Sequence, residues 1–430
     1  MTQRYDTYKD SGVQWLGEIP GHWECVRLKN IGNCQNGVSK GGDYFGEGFP
    51  FVSYSDAYKN IVLPTKVQGL AVSTEDDRIA YSVEKGDVLF TRTSETIDEI
   101  GFASTCLETI KDSVFAGFLI RFRPNTCSII PEFYKYYFRS IHLRKFFTKN
   151  INIVTRASLS QQLLGQLKVL IPSIDEQRTI SSYLDAKCGK IDEWVTKKQK
   201  EVEHLQELKQ RVIADAVTRG LNPHVKMKTT NIPWLKEIPE HWEMRKMKYL
   251  FDERSEKNHP DEPMLSATQS EGVILQSKYQ GRVVVVNTGF EGLKLVKVGD
   301  FVIHLRSFQG GIEYAHDRGI ISSAYTILNP KYPEYSAYYK RLFKSSSFID
   351  LLKICVTGIR EGQNINYSKL KQFSIPVPSI EEQKQIVSYL DAKCAKIDKL
   401  IANITQEIEC IKEYKQRLIS DVVTGQIKVC

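Results

Sequence analysis

The chain has 430 residues, 41% of them hydrophobic and 10% aromatic, and a formal net charge of +8. It is too long for one ordinary domain and apolar enough for real cores, which excludes wholesale disorder. No apolar run approaches the roughly 18 residues of a membrane span, and the opening MTQRYDTYKDSG has no apolar centre, so neither a membrane helix nor a signal peptide is expected and the compartment read from the sequence is the cytoplasm.

The first element in chain order is the segment QWLGEIPGHWE (14–24), which returns almost unchanged as PWLKEIPEHWE (233–243). Proline fixes its direction, and the paired tryptophans (Trp15 and Trp23; Trp234 and Trp242) are read as apolar anchors that dock the entrance of a globular unit. His22 and His241 stand beside Trp and Glu, but a general base needs a partner and a cleft, and the sequence shows neither.

Next comes KGDVLFTRTS (85–94), a Gly-Asp turn opening a β-branched and aromatic strand, matched by VGDFVIHLRS (298–307). The polar residues that follow, Arg92, Thr93 and Ser94, and Arg306, Ser307 and Gln309, have the chemistry of base reading. Arginine pairs with guanine and glutamine with adenine in a major groove. PEFYKYYFRS (131–140) and PEYSAYYKRLFKS (333–345) read as matching amphipathic helices, and RVVVVNTG (282–289) as a further strand. VTRASLSQQ (154–162) and VTGIREGQNIN (356–366) supply a second pair of candidate nucleic-acid contacts, Arg156 and Ser158, and Arg360, Gln363 and Asn364.

The two longest predicted elements begin at SIDEQRTISSYLDAKC (173–188) and SIEEQKQIVSYLDAKC (379–394). Each opens on serine followed by acids, an N-cap that suits the helix dipole, and Gly220 and Gly425 mark the ends. Apolar residues at steps of three and four, among them Ile191, Val195 and Leu205, then Ile397, Ile401 and Ile411, describe heptad seams. Lys209 and Lys415 occupy equivalent places near those seams and are candidates for fixing register or meeting a partner's carboxylate. Because one such helix cannot bury its seam alone, the two are expected to pack antiparallel about a pseudo-two-fold axis.

The opening motif repeats at an offset of 219 residues and the helices at 206, so the second copy is 13 residues shorter between them. The implied division is 1–172 for the entry segment and first recognition unit, 173–220 for the first helix, 221–243 for a linker with the repeated motif, 244–378 for the second unit and 379–430 for the second helix. The fold class is α+β, two mixed α/β units joined by two long helices in an internal repeat. The predicted helices carry equal basic and acidic counts, nine each over 173–220 and eight each over 379–428, leaving the whole excess on the globular units, where it suits a polyanion.

The nine cysteines form no Cys-x-x-Cys pair, no histidines have zinc-ligand spacing, and neither phosphate- nor dinucleotide-binding glycine loops occur. The sequence therefore offers no active site and no metal. On YKDSGVQWLGEIPGHWECVRL with IPWLKEIPEHWEMRKM, and on IPSIDEQRTISSYLDAKCGKID with VPSIEEQKQIVSYLDAKCAKID, the chain resembles the specificity subunits of Type I restriction-modification systems over essentially its whole length. The resemblance implies a non-catalytic subunit with two target-recognition domains, each reading half of a bipartite double-stranded DNA site, while the helices set the gap. It also implies partners: two methyltransferase subunits using S-adenosylmethionine to methylate adenine, and restriction and translocase subunits using ATP and Mg, with no cofactor bound by this chain. The alternative from charge and duplication alone is a stand-alone double-stranded DNA-binding regulator.

Overall fold

The computed structural model describes residues 4–151, 157–232, 234–281, 289–357 and 364–429. The predicted strand at 282–289 lies, but for Gly289, outside them. Two compact units divide the chain, Met1–Lys198 with Gln406–Cys430, and Gln199–Thr405. The sequence-based division treated each helix as a domain of its own; instead each unit takes part of both helices, because a helix stripe must be buried against a neighbouring core to be stable.

In the first unit, four strands, β1 (Gly32–Asn36), β2 (Val88–Thr91), β3 (Ala103–Thr105) and β4 (Leu119–Pro124), form an antiparallel sheet in the order β1-β4-β2-β3. The second unit repeats it with β5 (Phe251–Arg254), β6 (Phe301–Ile303), β7 (Glu313–Tyr314) and β8 (Thr326–Pro330), in the order β5-β8-β6-β7. The Gly-Asp turns are built alike. Asp87 and Asp300 are each 1% exposed. Each carboxylate accepts from an arginine, Asp87 from Arg123 at 2.7 and 2.6 Å and Asp300 from Arg254 at 2.9 and 3.2 Å. The arginines come from different strands, so the pairing is kept while its source has changed.

The predicted helix at 131–140 spans Pro131–Tyr137, and its counterpart runs through a short turn into Ser336–Leu342. Tyr134 and Tyr137 are core, and Lys135 and Tyr136 bond Asp185. Arg139 donates to the carbonyls of Ala57, Tyr58, Asn60 and Ala103. Burial lowers its pKa to about 10. That aromatic and basic cluster is internal structure and presents no binding face.

The long helices span Ile174–Arg219 and Ile380–Val423, 46 and 44 residues. Ser173 and Glu176 cap the first reciprocally: Ser173 Oγ accepts from Glu176 N at 3.3 Å, and Glu176 Oε2 accepts from Ser173 N at 3.2 Å. Gly220 and Gly425, at φ +76° and +74°, stop the helices in the left-handed region. In the first unit Lys415 lies against Asp192 while Gly425, further along, lies against Trp23, which bonds Glu176. The two helix segments there run antiparallel. The second unit has the same sense, with Lys209 against Asp398 and Gly220 against Glu382.

Ile180, Leu184 and Cys188 join Leu418 and Val422 in the first core, and Ile213 and Val217 join Ile386, Leu390 and Cys394 in the second. Of the predicted seam positions Ile397 is buried, whereas Ile191, Val195, Leu205, Ile401 and Ile411 are only half-buried. These five lie where no recognition-unit core covers the helices.

The repeated words of the sequence are two halves of one joint. Glu176 accepts from Trp23 Nε1 at 3.2 Å and lies 2.9 Å from His22 Nε2. Gln177, fully buried, donates to the carbonyls of Ser128 and Pro172 and accepts from Ile130 N. In the second unit His241 Nε2 lies 3.0 Å from Glu382 and Gln383 donates to Pro378 O, but Trp242 Nε1 is buried without a partner. The His-Trp-Glu motif is thus a docking element, as its tryptophans suggest.

Candidate nucleic-acid interface

In the first unit, two candidate segments far apart in sequence come together. Thr93–Ser94 pairs antiparallel with Ala157–Ser158, placing Ser158 opposite Thr93. Ser158 is exposed, and Arg92 and Thr93 are half-buried. Arg92 Nη1 donates to Gly117 O at 3.3 Å, and Arg92 N to Phe118 O at 2.9 Å. Ser94 is buried and its Oγ accepts from Thr96 N, so it shapes the turn and is withdrawn as a base contact.

Arg92 and Thr93 line a cleft of about 720 Å³ with Lys40, Phe45, Phe51, Tyr54 and Phe118. A second cleft of about 390 Å³ shares Thr93, Tyr54 and Phe118 and is walled by Tyr58, Ser94, Glu95 and Glu99. Phe118 stands between them, 62% exposed. At the cleft's edge Lys40 Nζ lies 2.6 Å from Asp77 Oδ2. The hydrogen bond from Lys40, with others from Thr74 and Tyr44, overcomes burial and holds the Asp77 carboxyl at about 2. The Lys40–Asp77 pair is therefore neutral overall at ordinary pH, and Arg92 is the cleft's uncompensated cation among the lining residues.

In the second unit Arg306 and Gln309 are exposed, Arg306 at the N-cap of a short helix Ser307–Gly310 and Gln309 within it. Ser307 is fully buried and its Oγ accepts from His304 N at 2.9 Å, so it too is withdrawn as a reader. Beneath this turn, Glu313, 0% exposed, accepts from Lys344 Nζ at 2.5 Å and lies 3.6 Å from His304 Nε2. Lys344 also donates to Gly310 O and Gln269 O, so one buried carboxylate fixes the turn through one lysine. Arg156, Arg360 and Gln363 lie outside the described residues. Asn364 is placed only by its backbone, paired with Thr357.

Sequence reasoning missed Lys40, Phe118 and Lys344. The first two adjoin glycines in SKGGDYFGEGF and AGF, and glycine beside aromatics was the available signal; Lys344 had none, because its role depends on a fold contact to Glu313.

Among the described residues no helix is long and apolar enough to cross a membrane, and no group of histidine, cysteine and acidic side chains could hold a metal.

The family model for the Type I restriction modification DNA specificity domain matches twice, at residues 20–204 and 235–410. The putative type I restriction enzyme MjaX specificity subunit of Methanocaldococcus jannaschii is 26% identical over 429 residues, covering 96% of each chain. The type I restriction enzyme MjaVIII specificity subunit of the same organism is 25% identical over 68% of this chain and 70% of its own. A solved chain, from work on complex assembly and conformational transition of the type I R-M system, superimposes with a TM-score of 0.67 at 16% identity, over 95% of this chain and 99% of its own. That last likeness shows the fold.

Proposed function

The chain belongs to the Type I restriction-modification DNA specificity family, and from that premise we propose that it reads an asymmetric bipartite double-stranded DNA site, one half-site per globular unit. The observation that carries this reading is the twofold family match, one per unit, combined with divergence of the candidate reading loops. Arg92 sits over an aromatic cleft in the first unit, and Arg306 and Gln309 sit on a helical turn in the second. Different loops on the same frame should read different bases.

In this reading the chain makes and breaks no bonds. It holds two methyltransferase subunits, which use S-adenosylmethionine on adenine, and restriction and translocase subunits that use ATP and Mg can join them in the cytoplasm. The continuous helices set the distance between half-sites. A stand-alone regulator is disfavoured by the family, whose specificity domains belong to restriction-modification systems.

The test is a map of methylated adenines in cells making this chain with its methyltransferase subunit, against cells lacking it. A bipartite motif with two different halves, present only with the chain, is expected. Methylation that is absent, or unchanged when the chain is removed, would overturn the reading.

A further inference from the structure

We propose that Phe118 stacks on an unstacked nucleobase of the half-site held by the first unit, the base entering the cleft that Phe118, Phe45 and Tyr54 line; this rests on the DNA-reading function above. Phe118, 62% exposed, and Phe45, 37% exposed, line the same cleft and together present an apolar surface to solvent, the kind of patch that marks a binding site. Its backbone is held on both sides. Phe118 O accepts from Arg92 N at 2.9 Å, and Gly117 O accepts from Arg92 Nη1 at 3.3 Å. Gly117 packs so tightly on Ser39 and Val38 that a Cβ there would collide with both. The turn is therefore rigid, and little conformational entropy remains to be lost when the ring meets a ligand.

The chemistry around the ring selects its partner. The cleft on one face has about 720 Å³, within the roughly 300–1,000 Å³ range of small-ligand sites, and its exposed lining is mostly apolar. Arg92 lies at the foot of the ring, and the Lys40–Asp77 pair adds no net charge. The cleft on the other face carries the Glu99 carboxylate, which accepts from Tyr58 Oη at 2.7 Å. A flat apolar group attached to an anion fits the first cleft and is repelled from the second. In DNA that group is a base with its phosphate beside Arg92. The proposal also recasts Arg92: bonded to Gly117 O, it positions Phe118 and attracts phosphate.

The test is a double-mutant cycle in the assembled complex with methyltransferase subunits, using duplexes of the mapped site in which each nucleotide in turn is abasic. Wild type should lose about tenfold in affinity at one abasic position in the first unit's half-site, and F118A should lose about tenfold on intact DNA. The two losses should not add at that position, and F118W should retain affinity. F118A must still discriminate base changes in the other half-site, which shows that the complex is assembled. Additive losses at every position, or F118A binding as tightly as wild type, would overturn the stacking while leaving the reader intact. Failure of wild type to prefer its site over unrelated DNA would overturn the function itself, and this inference with it.

Discussion

Lys415 Nζ lies 2.6 Å from Asp192 Oδ1, two residues 223 positions apart that meet where the helix segments of the first unit pack. Lys209 makes the same contact with Asp398 in the second unit, at 2.7 Å. Both lysines were legible as equivalent seam positions, and both have intramolecular carboxylate partners. Register-fixing is therefore the better reading of them than reception of another protein's carboxylate.

The pair should behave as a specificity device worth little in stability. Both acids are more than half exposed, which limits such a contact to about 0.2–1 kcal/mol. Lys415→Asp should destabilise by more than that, by setting like charges together, and the swap K415D/D192K should recover most of the loss. Denaturant unfolding of the four proteins checks the coupling; a swap no better than the single variants would remove register-fixing as the role.

Glu176 should make the first joint acid-sensitive. Burial raises its pKa, but bonds from His22, Trp23 and Ser173 outweigh burial and leave the net value depressed. A folded value below the unfolded one contributes stability that is complete above the ordinary glutamate range. It is lost as pH falls through the depressed folded value. The difference in unfolding midpoint between wild type and E176Q should therefore shrink below about pH 4.3. E176A strands the buried Trp23 N–H and should cost about 1–3 kcal/mol. E382A should cost less, because Trp242 Nε1 has no partner to lose.

Arg306 and its neighbour Ser307 should separate cleanly. R306A should relax one base position of the second unit's half-site, by about 1–3 kcal/mol of discrimination, in a methylation map or competition assay. S307A leaves His304 N without its acceptor and should lower stability by about 1–2 kcal/mol with specificity unchanged. Uniform loss across all sequences for R306A would make it a phosphate contact.

The contrast between these two residues shows what the sequence could carry. Helix bounds were legible because caps, stop glycines and three-four spacing are local: Ser173, Gly220, Ser379 and Gly425 stand at the observed ends. Repeated words were legible as words, but not as a contact, because His22 and Glu176 meet only through the fold, 154 positions apart. The loop residues were read by type alone. Serine after a strand can face a base or satisfy a turn, and burial, which only the packed structure fixes, decided for the turn at Ser94 and Ser307. Phe118 went unread for the opposite reason: an aromatic beside a core strand looks like core, and its neighbouring glycine is a weak signal until its exposure is seen.

The spacing of the ion pairs gives a sharp test of the proposal that the helices set the distance between half-sites. Asp192 and Lys209 are 17 residues apart, and so are Asp398 and Lys415. Removing one heptad between the members of each pair, in both helices, keeps the seam periodicity and all four charged residues. Each helix shortens by about 10 Å at ~1.5 Å per residue, which is about three base pairs at ~3.4 Å. The methylation motif should keep both half-sites and lose about three base pairs from its gap. Removing two residues instead turns the remaining seam by about 200°, at ~3.6 residues per turn, away from its partner and should abolish methylation. An unchanged gap in the heptad variant, with methylation intact, would show that the distance between half-sites is set outside the helices.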